Sequence, residues 1–133
     1  MYRFVKDIPA PWLEYYGETP PHLDYPESTM AELMENAAAA WPESIAFDFL
    51  GRATSYRKFA EEIRRAARAF AALGIREHDR VTVCMPNTPQ GVIALYALNM
   101  AGAVANMIHP LSSEGEIRFF LEESEIAFRR TFH

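Results

Sequence analysis

The chain has 133 residues, enough for one layered domain and too few for a complete two-domain enzyme. Half of the residues are hydrophobic and 23% are charged, which is typical of a folded globular protein and excludes a wholly disordered one. Acidic residues outnumber basic ones by 18 to 13, the formal net charge is -5 and no long run of Lys or Arg occurs, so nucleic acid is not an expected partner.

The cysteine content and the apolar segments predict a cytoplasmic protein without a transmembrane segment. Cys84 is the only cysteine, which rules out an intrachain disulfide and a zinc site made of several cysteines. Because it lies in the apolar run 81–85, we expect it to be a small buried residue. Residues 1–10 lack the apolar core of a secretory signal. The most apolar stretch, residues 92–108, is interrupted by Gly102 and is too short to span a membrane.

The first 28 residues are rich in proline and aromatic residues. Prolines at this density prevent a long helix or a central strand, because each one fixes φ and removes a backbone donor. We predict that residues 1–28 form an extended arm whose rings dock on a neighbouring surface, and a solvated tail is the alternative. The prolines are Pro9, Pro11, Pro20, Pro21 and Pro26, and the rings include Trp12, Tyr15, Tyr16 and Tyr25.

Residues 29–133 have the pattern of a partial α/β domain. It opens with Thr29 followed three residues later by Glu32, a capping box in which each side chain satisfies a backbone N–H of the first helical turn. The helix is predicted to reach about Ala40, because Pro42 cannot continue it.

A small hairpin and the clearest helix of the chain come next. The runs 45–49 and 53–55 flank Gly51, which predicts a two-stranded hairpin. Ser55 is placed to cap the following helix, and Gly74 ends it in a position that suits a left-handed residue. The apolar stripe of this helix is predicted to be Phe59, Ile63, Ala66, Phe70 and Leu73.

Two apolar runs then predict strands of a buried sheet. The first covers residues 81–85. Thr88 and Pro89 supply an N-cap and a first-turn proline for a helix that Gly102 closes. The second run covers residues 103–108.

A last helix follows these strands. Ser113 and Glu116 form a second capping box, and the helix that they open is predicted to bury Ile117, Phe120 and Leu121. A third strand is predicted to start at Ile126. The fold class is therefore α/β, with a parallel sheet flanked by helices, right-handed crossovers, a small β-hairpin and an extended arm.

Several of these segments carry the motifs of a known superfamily. Residues 54–59, Thr-Ser-Tyr-Arg-Lys-Phe, resemble the [ST]-Y-x-E-L segment of the adenylate-forming enzymes, with Lys58 where an acidic residue is usual. His78 stands where the superfamily's G-D-x-V motif has its glycine. The further matches, in order, are Gly74-Ile75, Asp79-Arg80-Val81, Met85-Pro86-Asn87 and Gly102-Ala103-Val104.

The chain is thus similar to the N-terminal part of an AMP-forming acyl-CoA synthetase over about residues 29–127. The sequence from Gly102 through Asn106 to His109-Pro110 most resembles the bacterial fatty-acyl branch. The resemblance implies that the parent enzyme uses ATP, Mg²⁺ and coenzyme A to convert a carboxylate to an acyl-adenylate and then to an acyl-CoA. It also implies that these motifs are architectural.

The groups that adenylation requires are missing from the sequence. A triphosphate is held by clustered backbone amides and fixed cations, but the six glycines are far apart and the only lysines are Lys6 and Lys58. The histidines have no metal-binding spacing, and His109 at a strand end is expected to be structural. We therefore predict no catalytic, cofactor-binding or metal-ligating residue, and no cofactor bound by this chain alone. The four histidines are His22, His78, His109 and His133.

The sequence is compatible with three functions. The leading one is an inactive scaffold fragment of an acid-CoA ligase, whose partner is the remainder of the synthetase. A small nucleotide-binding α/β domain would need a Gly-rich turn after Met85, where the sequence has Pro86-Asn87-Thr88-Pro89. A non-catalytic interaction or oligomerisation module is the third, because an incomplete sheet has exposed edges, and self-association of the isolated chain is expected.

Overall fold

A computed structural model describes residues 10–20 and 22–124 of the chain. None of the helices in these ranges is long and apolar enough to cross a membrane. The elements are a 3₁₀ helix (Pro11–Tyr15), α1 (Met30–Ala40), β1 (Ile45–Phe49), β2 (Arg52–Ser55), α2 (Tyr56–Ala72), β3 (Arg80–Cys84), α3 (Pro89–Met100), β4 (Val104–Ile108) and α4 (Glu114–Glu123).

Both predicted capping boxes are confirmed. The Thr29 hydroxyl accepts from the Glu32 N–H at 3.1 Å, and the Glu32 carboxylate accepts from the Thr29 N–H at 2.7 Å. Ser113 and Glu116 repeat the arrangement at the start of α4. In each box the hydrogen bond from the backbone N–H, with a smaller contribution from the hydroxyl, lowers the pKa of the glutamate.

The predicted hairpin is also confirmed. Strands β1 and β2 pair antiparallel, with Phe49 opposite Arg52. The two turn residues, Leu50 and Gly51, both have positive φ, at 53° and 78°. This is the backbone of a type I′ turn, whose twist matches that of the strands it joins. The Asp48 carboxylate accepts from the Gly51 N–H at 2.9 Å and closes the turn.

Helices α1, α2 and α3 enclose the main core, in which Ile63 is completely buried. Leu98 of α3 is also completely buried, in a second cluster with Val83 of β3 and Ala103. The predicted stripe of α2 is right for its first four members, which are buried or half-buried. It is wrong for Leu73, which is 47% exposed because it is the C-cap and lies beyond the last helical residue, Ala72.

Helix α1 is fixed to the other two helices by polar contacts. The Asn99 side-chain oxygen accepts from the Ala31 N–H at 2.9 Å, so α3 satisfies an N–H in the first turn of α1. The Arg64 Nε of α2 donates to Glu35 of α1 at 2.7 Å, and this pairing raises the pKa of Arg64. The three helices therefore form one packed layer.

Strands β3 and β4 form the predicted parallel pair, in register from Arg80 opposite Val104 to Cys84 opposite Ile108. Two left-handed residues shape the turns beside it: Gly102 with φ 71° and His78 with φ 66°. The third strand predicted at Ile126 lies outside the described residues.

Two predictions of burial in this half of the molecule are wrong. Cys84 is exposed, and α4 has no fully buried residue: Ile117 and Leu121 are half-buried and Phe120 is 37% exposed. Within residues 10–20 and 22–124, β3 pairs only with β4, and β4 pairs only with β3. Side chains at the strand ends and on α4 therefore lack the flanking strands that would cover them.

The described part of the arm differs from its prediction. Pro11 begins a 3₁₀ helix, because a proline at the first position loses no hydrogen bond there, and so this part is not wholly extended. Tyr15 is 82% and Tyr25 is 79% exposed, so the rest of the described chain does not cover these two rings, and docking of the arm on a neighbouring surface stays a prediction. The division into residues 1–28 and 29–133 remains a prediction.

Candidate functional site

A cleft of about 380 Å³ opens between the hairpin and the starts of α2 and α3. Strand β1 forms one wall and α2 and α3 form the other. Its lining residues are Met34, Ala46, Phe47, Asp48, Phe49, Tyr56, Phe59, Asn87, Thr88, Pro89, Val92 and Tyr96.

Three rings from three different elements form one side of the cleft. The ring of Phe59 on α2 meets Phe47 of β1 edge-on at 5.1 Å between centroids, and Tyr96 of α3 at 5.6 Å. Edge-to-face pairs at these distances contribute about 0.5–1.5 kcal/mol each beyond their buried area. The hairpin is therefore held against the helices by aromatic packing.

Two of the polar residues that line the cleft, Asp48 and Thr88, are used by the local fold. Asp48 accepts from Gly51 in the hairpin turn. Thr88 is the N-cap of α3, and its hydroxyl also lies 3.4 Å from the Pro86 carbonyl oxygen. The N-cap that the sequence predicts at Thr88 is thus confirmed.

The charge of the cleft does not suit a nucleoside triphosphate. Asp48 is the only charged residue among its lining residues, and its charge is negative. Phosphate sites instead combine cations with several converging backbone N–H groups. The cleft therefore does not fit the phosphates of ATP, and no catalytic step can be derived from it.

The histidines and the acidic residues do not form a metal-binding cluster in the described ranges. Within residues 10–20 and 22–124, no group of three or more His, Cys, Asp or Glu side chains is arranged to hold a metal ion. His109 is exposed, and its Nδ1 accepts from the Leu111 N–H at 3.2 Å. This contact supports the structural role that its position at the end of β4 predicts.

Sequence reasoning missed the aromatic cleft. Phe59 was visible as a member of the α2 stripe, but Phe47 and Tyr96 belong to elements whose mutual position depends on tertiary packing. No periodicity within a single element indicates that the three rings meet.

Comparison with known proteins identifies what the fold is similar to. The model of the AMP-binding enzyme family matches residues 34–129. A long-chain-fatty-acid–CoA ligase of Bacillus subtilis is 30% identical over 118 residues, which are 88% of this chain and 21% of that protein. The enzyme of the same name from Yersinia pestis is 34% identical over 120 residues, 85% of this chain and 21% of that protein.

A solved structure has the same architecture. The N-terminal domain of FACL13 from Mycobacterium tuberculosis, crystallised with an inhibitor, superimposes with a TM-score of 0.68 and 26% identity. The match covers 72% of this chain and 25% of that domain. The chain thus spans about a fifth of the length of the two ligases and about a quarter of one N-terminal domain.

Proposed function

The chain belongs to the family of AMP-binding enzymes, and we propose that it supplies the N-terminal scaffold of an ATP-dependent acid-CoA ligase and is inactive by itself. The observation that carries the proposal is the combination of family membership with the composition of the cleft. A sequence that spans 21% of the ligases presents an apolar cleft with one carboxylate, where adenylation would require cations and clustered amides.

The scaffold role agrees with what the matched motif residues do in this fold. Gly102 makes a left-handed turn before β4, and Ser55, just before Tyr56 in the segment 54–59, caps α2. Asp79 accepts from the Arg76 N–H at 2.8 Å in the turn before β3. Each of these interactions shapes the backbone of a turn or of a helix start.

A long-chain fatty acid is the substrate that we propose for the complete enzyme. The support is that the Bacillus and Yersinia relatives are long-chain-fatty-acid–CoA ligases. ATP, Mg²⁺ and coenzyme A are proposed for the complete enzyme and none of them for this chain alone. A cytoplasmic setting remains part of the proposal, and it rests on a sequence with a single cysteine.

A chimera tests the scaffold role. In the Bacillus ligase, the 118 aligned residues are replaced by those of this chain, and long-chain acyl-CoA formation is measured. We expect activity, and we expect the conservative variants Asp48→Asn and Tyr56→Phe of the chimera to keep kcat within roughly tenfold, because neither side chain is assigned to the chemistry. A loss of kcat of about a thousandfold in a normally folded variant would contradict the proposal.

The coding DNA past codon 133 gives an independent test. We expect an in-frame segment that encodes a loop rich in Ser, Thr and Gly with a lysine near its end. A continuation without such a loop would contradict the proposed parent enzyme, whatever the chimera does.

A second candidate function is a self-associating interaction module. It is favoured by apolar side chains that stay exposed around the small sheet, among them Val104 at 50% and Met107 at 48% of β4 and Phe119 at 56% of α4. Sedimentation of the isolated chain at tens of micromolar, on the order of concentrations where exposed strand edges associate, tests it. We expect a mass above that of a monomer, reduced in a Met107→Glu variant, and a monomer throughout would remove this candidate.

A further inference from the structure

The cleft between β1 and the helices is lined mainly by aromatic rings. They come from three elements, and they are Phe47 and Phe49 of β1, Tyr56 and Phe59 of α2, and Tyr96 of α3. The volume of about 380 Å³ lies near the lower end of the range for ligand sites and suits a molecule of roughly one or two rings. Since aromatic rings pack well against one another edge-to-face or offset, this lining favours an aromatic occupant.

The one charged side chain of the lining points away from the rings. Phe47 contacts Phe59 of α2. Side chains alternate along a strand, so Phe49 shares the face of Phe47, and Asp48 lies on the opposite face of β1. The Asp48 carboxylate accepts from the Gly51 N–H at 2.9 Å. Among the described residues that line the cleft, none therefore directs a charge toward the rings.

The uncharged interior decides which ligands the cleft favours. An organic anion would leave water there without meeting a cation, and an organic cation would leave water without meeting a carboxylate. Either one would lose hydration free energy that the cleft does not replace. A neutral molecule does not have this penalty, so the cleft favours neutral ligands over charged ligands of the same shape.

Two tyrosine hydroxyls at the cleft have no hydrogen bond within the part of the chain that the structure describes. They belong to Tyr56 and Tyr96, which are both half-buried. In the same part of the chain, no buried side-chain oxygen or nitrogen lacks a partner, so both hydroxyls are accessible from outside. A tyrosine hydroxyl donates and accepts, and it can therefore bond to a hydroxyl group of a ligand.

From these observations we propose that the cleft is a binding site for a small neutral aromatic molecule that carries a hydroxyl group. The rings of Phe47, Phe59 and Tyr96 pack against its ring system, and the tyrosine hydroxyls bond to its polar group. The proposal concerns a site built by this chain, and it does not depend on the ligase activity proposed above.

Titration of the complete chain with 2-naphthol, followed by the amide signals in NMR, tests the site. We expect the amide signals of Phe47 and Val92 to shift and to saturate with a Kd on the order of 1 mM or lower. At neutral pH, 2-naphthoate has the same rings and a negative charge, and we expect its Kd to be about tenfold higher or more. Equal or tighter binding of 2-naphthoate, or no saturable shift with 2-naphthol, would overturn the proposal.

Two variants and a matched control locate the binding. Val92 lines the cleft and is 41% exposed, so Val92→Trp fills the cleft from its surface, and we expect the Kd of 2-naphthol to rise about tenfold or more. Tyr96→Phe keeps the ring and removes the hydroxyl, and we expect a Kd about two- to tenfold higher. The control is Leu33→Trp, because Leu33 of α1 is 46% exposed and is not part of the lining, and we expect its Kd to be unchanged. An unchanged Kd in Val92→Trp, or an equal rise in Leu33→Trp, would contradict the proposed site.

Discussion

The side-chain oxygen of Asn99 accepts a hydrogen bond from the backbone N–H of Ala31 at 2.9 Å, across 68 positions of sequence. A residue of α3 thereby satisfies one of the donors at the start of α1 that have no partner within their own helix. This contact complements the Thr29 capping box, which satisfies a different donor of the same turn.

Two substitutions of Asn99 distinguish the loss of its hydrogen-bond acceptor from a change that keeps an acceptor and the shape of the side chain. Asn99→Ala removes the acceptor, and we expect the free energy of unfolding to fall by about 1 kcal/mol or more, because a half-buried N–H loses its partner. Asn99→Asp keeps an acceptor beside a helix N-terminus, and we expect a change within about 0.5 kcal/mol. Urea unfolding followed by circular dichroism measures both, and equal losses in the two variants would contradict this role.

Gly102 and Gly115 form a matched pair for glycine replacement. A Cβ on Gly102 would lie 2.9 Å from the Glu77 Cγ, and the residue has φ 71°. We expect Gly102→Ala to lower the free energy of unfolding by about 1–2 kcal/mol or more from the left-handed backbone alone. Gly115 lies in α4, and a Cβ there meets nothing within 4 Å, so Gly115→Ala is expected to raise it by about 0.5–1 kcal/mol. Thermal unfolding of the two variants tests the contrast, and a shift of the same sign in both would refute it.

His78 occupies a position where glycine is the better residue. It has φ 66°, and its N–H donates to the Gly102 carbonyl oxygen at 2.8 Å. We expect His78→Gly to raise the free energy of unfolding by a few tenths to about 1 kcal/mol, because the strain of the left-handed backbone disappears. His109→Gly is the control: it removes the acceptor of Leu111 and is expected to be destabilising. If His78→Gly lowered the melting temperature, the strain argument would fail.

The two capping boxes make stability depend on pH in the acidic range. Hydrogen bonding lowers the pKa of Glu32 and Glu116 in the folded chain, so each carboxylate stabilises the fold above its ordinary pKa. This stabilisation is lost as the pH falls through the lowered pKa values. We expect the stability difference between the original chain and the Glu32→Gln, Glu116→Gln double variant to shrink as the pH is lowered from 7 toward 3. A difference that is constant over this range, measured by urea unfolding, would contradict the assignment.

The elements predicted best from the sequence are those fixed by neighbours in the chain. Thr29 and Glu32 are three residues apart, and so are Ser113 and Glu116, so a local pattern contains all the information that a capping box needs. The left-handed turn predicted at Gly74, which has φ 87°, is local in the same way. Lys58 departs from the family motif without disturbing the start of α2. The reason is that its backbone N–H, and not its side chain, donates to the Ser55 hydroxyl.

The failures arise where burial depends on distant parts of the chain. Cys84 lies in an apolar run, but its exposure depends on whether another strand lies beside β3. Two contacts join elements whose periodic patterns are independent of each other. They are the ring contact between Phe47 and Phe59 and the hydrogen bond between Asn99 and Ala31. The cleft was missed for the same reason.

We propose that this chain supports adenylation without performing it. The most direct test is ATP–pyrophosphate exchange with long-chain fatty acids and Mg²⁺, run side by side on the isolated chain and on the Bacillus chimera. We expect exchange by the chimera and none above the blank by the isolated chain. Exchange by the isolated chain that requires both the fatty acid and Mg²⁺ would contradict the account.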